Sequence, residues 1–153
     1  MRRAARLAIL LVAVWLAPVI AATVPTDPYA RVDYHVRHAE EIARHFEDVM
    51  RDECPRFAST REWNRYFDGE VDRLVLMMAH IEQAWIEAKR THDDDLRRTA
   101  KAPRKRYQHA RALVGKLEKC ANDNGTSFMP LFVWRKIERE VPKRQAEIAL
   151  PLE

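Results

Sequence analysis

From Tyr29 to Met50 the apolar residues Tyr29, Val32, Val36, Ala39, Ala43, Phe46 and Met50 recur in alternating steps of three and four. A helix of 3.6 residues per turn puts such a series on one face, whereas a strand would repeat at every second residue. The same steps return in Trp63, Phe67, Val71, Leu74, Met78, Ile81, Trp85 and Ala88, and again in Leu96, Ala100, Pro103, Tyr107, Ala110, Val114, Leu117 and Ala121. With three Gly among 153 residues, the chain lacks the turn material of an all-β fold. The fold expected is all-α: an antiparallel up-down bundle of three long helices plus a short C-terminal helix, with one disulfide.

Start and stop signals set the boundaries. Asp27 is a good N-cap, Pro28 suits the first helical position and Pro55 stops the chain, which predicts a first helix over 28–53. Ser59 with Glu62 has capping-box spacing and opens a second helix over 60–90, with Gly69 as a kink or a break. Asp93, Asp94 and Asp95 cap the third, in which Pro103 marks either a kink or the true start after a short segment at 95–102. Asn122 to Gly125 end it, and a short helix over 129–140 is predicted to stop at Pro142.

Residues 1–22, MRRAARLAILLVAVWLAPVIAA, carry arginines, then an apolar run, then Pro18 and small residues at Ala21 and Ala22. That order is the secretory-signal order, and the run is short of the roughly 20 residues a membrane span needs. A single domain over 23–153 is expected outside the cell or in the periplasm of a bacterial envelope, with no permanent membrane span after cleavage. In an oxidising compartment the two cysteines, Cys54 and Cys120, are expected to pair with each other. Both fall at C-terminal helix ends, which share a pole in an up-down-up arrangement.

Chemistry is sparse. There is no G-x-S-x-G, no H-E-x-x-H, no haem-attachment motif and no phosphate-cradling glycine loop, so neither catalysis nor a cofactor is expected. His38, Glu41 and His45 share one helix face at a spacing that could hold zinc or copper, against the plainer reading of a solvated surface. His80 beside Ile81 reads as a buried histidine bonded across the bundle. Phe128, Phe132 and Trp134 read either as a docking surface or as the closing face of the core.

The formal charge of +4 is mostly the leader's. Residues 1–22 take three arginines and no acid, leaving 24 basic against 23 acidic residues. Nucleic-acid binding therefore loses its electrostatic basis. What remains is local: Arg97, Arg98, Lys101, Arg104, Lys105, Arg106 and Arg111 form a basic stretch after the acidic turn, suited to a protein partner or an anionic envelope surface. The functional expectation is a non-enzymatic binding protein (inhibitor, immunity factor, adaptor or chaperone-like), with a metal-binding bundle as the alternative.

Overall fold

Asp27 accepts a hydrogen bond from the Ala30 N–H at 2.8 Å, Pro28 takes the first turn, and α1 runs Pro28–Arg51. The computed structural model describes residues 25–103 and 107–149; the expected signal segment 1–22 and Arg104, Lys105 and Arg106 lie outside the described residues. Next, α2 (Thr60–Lys89) begins where Ser59 Oγ accepts from the Glu62 N–H while the Glu62 carboxylate accepts from the Ala58 N–H. It passes Gly69 unbroken.

The expected third long helix is two helices, α3 (Asp94–Lys101) and α4 (Tyr107–Asp123). Pro103 has no N–H to offer the Thr99 carbonyl, which instead accepts from Ala102 one residue earlier, and α3 ends there. Gly125, with φ of 70°, terminates α4 in the left-handed conformation that its sequence foreshadows. The final helix α5 (Pro130–Ile148) does not stop at Pro142 but carries it inside. Buried Val141 anchors the residues before the proline, and the Gln145 amide donates to Gln83 at 3.2 Å beyond it. Tertiary packing there outweighs the lost helical hydrogen bond. The result is a bundle of five helices among the described residues.

The long helix α2 is the shared wall, packing most extensively against α1 and α5. Arg31–Glu87, His35–His80 and His45–Glu70 pair in descending register, so α1 and α2 run in opposite directions. Most of the core lies between Ala39, Ala43 and Phe46 of α1, Leu74 and Ile81 of α2, Leu113 and Leu117 of α4 and Ile137 of α5. A smaller cluster holds α3 in place, with Leu96 and Ala100 against Val32, Val36, Ala84 and Ala88. Tyr29 and Met50, the ends of the expected stripe, are exposed instead, and the Tyr29 hydroxyl donates to the Asp93 carboxylate.

Cys54 and Cys120 are bonded, with Cα atoms 5.1 Å apart, tying the segment after α1 to α4. Asn124 reinforces the junction with its whole side chain. Its Oδ1 accepts from the Phe57 N–H at 3.0 Å, and its Nδ2 donates to the Pro55 and Cys120 carbonyls at 2.9 Å each. Trp63, Phe57, Tyr66, Phe67 and Phe128 pack around this end. Of the three aromatic residues near the start of α5, Phe128 and Trp134 thus pack against the core and Phe132 is exposed.

Candidate functional site

Trp85 and Lys89 lie one helical turn apart on α2, and the α3 contacts at Leu96 and Ala100 bring Lys101 to the same place. The Lys89 ammonium is 5.0 Å and the Lys101 ammonium 5.4 Å from the centre of the Trp85 ring. Arg97, Arg98 and Asp94 complete the walls of this recess. Arg98 is paired with Asp95, while Arg97 donates to the Thr91 carbonyl at 2.7 Å and to Asp94 at 3.4 Å. The Arg97 Nε is buried and has no hydrogen-bond partner among the described residues. Among the described residues the carboxylates of this turn, Asp94 and Asp95, pair with Arg97 and Arg98. Each lysine is drawn to the negative face of the indole, and two cations on one ring repel each other, so an arriving anion is attracted by both.

Of the expected basic stretch, Arg97, Arg98 and Lys101 are thus gathered on α3, whereas Arg111 sits exposed on α4 near Glu118 and Glu138, in the groove between α4 and α5. Arg104, Lys105 and Arg106 are outside the described residues. Trp85 belongs to the apolar series of α2 and Lys89 to no basic run; only the folding of α3 onto α2 brings them together with Lys101.

The bundle interior near the start of α1 is polar. Arg31 donates to the Glu87 carboxylate through Nε at 3.1 Å and Nη2 at 3.2 Å, with both side chains almost fully buried. Gln83 donates to the same carboxylate at 2.8 Å, and Arg90 covers it at 3.1 Å. Burial alone would raise the Glu87 pKa, but the hydrogen bonds from Arg31 and Gln83, with the nearby guanidinium charges, hold it below the usual carboxylate range.

One turn on, His35 Nδ1 and His80 Nδ1 are 2.9 Å apart, so one donates and the other accepts. His35 Nε2 is buried without a partner. The tautomer that strands no proton puts the hydrogen on His35 Nδ1, donated to His80. Burial lowers the His35 pKa to about 4, with Arg31 and His38 adding to the effect and Glu87 opposing it. The same burial, together with His35 and His38, lowers His80 to about 3. Both rings are therefore neutral at neutral pH.

The expected metal ligands are divided among other tasks. His38 stacks on His80, ring centres 5.0 Å apart, with its Nδ1 3.4 Å from Glu41. His45 turns the other way and meets buried Glu70 at 2.7 Å, a carboxylate that also accepts from Arg73 at 2.8 Å. Among the described residues no group of three or more His, Cys, Asp or Glu side chains is arranged to hold a metal ion. Comparison with protein-family models, with curated proteins and with solved structures finds no match to this chain.

Proposed function

We propose that this chain is an exported binding protein, not a catalyst, that holds an acidic partner at the Trp85 recess: a protein or an anionic component of a bacterial envelope. The observation that carries this reading is the pair of ammoniums, Lys89 and Lys101, held over one indole. An acidic group entering the recess meets both charges. Inhibitor, immunity, adaptor and chaperone-like roles all use such a surface without chemistry of their own.

Export rests on the signal-like order of residues 1–22, with cleavage after Ala22. The oxidised Cys54–Cys120 pair supports it, because disulfides persist in oxidising compartments. No helix among the described residues is long and apolar enough to cross a membrane. The helix order is read as up-down-up-down for α1, α2, α4 and α5. Supporting this order are the opposed α1–α2 pairings, the shared pole of Cys54 and Cys120, and the contacts Lys136–Asp68 and Gln145–Gln83, which advance together along α5 and α2.

Cross-linking in envelope extract tests the binding role. A stoichiometric partner is expected whose affinity falls about tenfold or more in the Lys89→Glu/Lys101→Glu variant and weakens with salt. Reversal of Arg139, distant on α5, leaves it unchanged. A partner indifferent to the double reversal, or none at stoichiometric yield, refutes the reading.

A further inference from the structure

Between α4 and α5, with buried Met78 of α2 at its floor, runs an open groove whose walls carry both signs of charge. Arg111 and Glu118 stand on the α4 wall and Glu138 on the α5 wall. Among the described residues none of the three forms an ion pair or a side-chain hydrogen bond. By contrast Lys136, Arg139, Lys143 and Arg144 of α5 are all paired within the chain. Leu131 is exposed on the same wall as Glu138, and Trp134 beside it is only half-buried.

Arg111, Gly115 and Glu118 follow steps of four and three along α4, so they share one face, turned away from buried Leu113 and Leu117. Gly115 is exposed in the middle of this helix, where glycine is the poorest helix former after proline. Nothing inside the chain calls for it, since a Cβ built there meets no atom within 4 Å. What a bare backbone at such a place permits is close approach from outside.

The two charges of this face are seven residues apart, about 10 Å of helix, and their midpoint falls between Val114 and Gly115. A second α4 laid antiparallel about a two-fold axis through that midpoint sets each Arg111 against the other copy's Glu118, with the glycines at the crossing. A face so arranged is complementary to itself, as a two-fold interface requires. A purely acidic or purely basic ligand satisfies one of its signs and repels the other. We propose that the α4–α5 groove is the interface of a homodimer, in which two copies cross at Gly115, exchange Arg111–Glu118 ion pairs and cover each other's Leu131 and Trp134.

Sedimentation equilibrium on the purified full chain is expected to show monomer and dimer in exchange. Arg111→Glu alone and Glu118→Arg alone each bring two pairs of like charges together, and each is expected to weaken the dimer about tenfold or more. Mixing the two variants places opposite charges at both contacts and restores association, which no disturbance of the fold at either site reproduces. Gly115→Leu holds the copies apart and abolishes the dimer, while the thermal midpoint of the monomer holds or rises, because leucine favours the helix and has room there. Lys89→Glu/Lys101→Glu leaves the dimer intact, which separates this face from the Trp85 recess. The proposal fails if the chain stays monomeric at about 0.1 mM, whatever else fills the groove, if the two reversal variants associate no better mixed than alone, or if Gly115→Leu leaves association unchanged.

Discussion

Where α1 stops, Cys54 is bonded to Cys120 and Trp63, Phe57 and Phe128 pack around the junction; where α1 begins, Arg31, Glu87, His35 and His80 fill the interior with polar groups. The first end gains its strength from a covalent link and apolar area, neither of which responds to protons. The second depends on paired charges and neutral imidazoles, which no reductant touches. A buried ion pair such as Arg31–Glu87 adds little net stability, because desolvation offsets most of the attraction, but losing one partner strands the other. One small bundle thus carries two independent sensitivities at opposite ends of a single shared helix.

Breaking the covalent end is expected to have the largest effect. The Cys54→Ala/Cys120→Ala variant should lose about 4 kcal/mol of unfolding free energy, the loop-closure value for a separation of 66 residues, measured by urea titration. Hydrogen exchange in that variant should accelerate around Trp63 and leave the amides near His35 and Glu87 protected. Equal acceleration at both ends would mean that the two are not separable.

Acid addresses the other end. Folded His35 and His80 titrate at about 4 and about 3, below the ordinary 6.5, so the unfolded chain takes up protons first. Stability is therefore complete well above pH 6.5 and drains away as pH falls through 6.5 toward 4, by on the order of 3 kcal/mol for the pair between pH 7 and about 5.2. The His35→Leu/His80→Leu variant should flatten that part of the pH curve. If its slope matches that of the parent chain, the histidine pair is not the source.

The smallest effect is expected from Asn124→Ala, which removes three hydrogen bonds beside the disulfide: about 1–2 kcal/mol, by thermal denaturation at neutral pH. The loss should be the same at pH 5 as at pH 7, in contrast to the histidine layer.

These ends differ equally in how far the sequence reveals them. Asp27, Pro28, Ser59 and Glu62 act locally, on backbone groups within four residues, so the starts of α1 and α2 are readable from the chain alone. The disulfide follows from having two cysteines and helix ends that share a pole. His80 is correctly read as bonding across the bundle, but its partner His35 is 45 positions away on a helix whose stripe omits it. Periodicity locates an apolar face; it does not say which polar neighbours of that face will meet. Arg31–Glu87 and His45–Glu70 are hidden for the same reason. Pro142 misleads because a stop signal is local, whereas the contacts of Val141 and Gln145 that carry α5 through it are tertiary. The recess at Trp85 needs α3 folded onto α2, and no run of charge announces it.

The wide spacing of the two cysteines also sets a clock. Helices α1 and α2 are complete by Lys89, yet Cys120 emerges 66 residues after Cys54, roughly 3–13 s later at ordinary synthesis rates. Through that interval Cys54 is a thiol with no eligible partner in its own chain, since the sequence holds only two cysteines. Within this sequence no mispairing is therefore possible, and a wrong disulfide has to join the cysteines of two neighbouring copies.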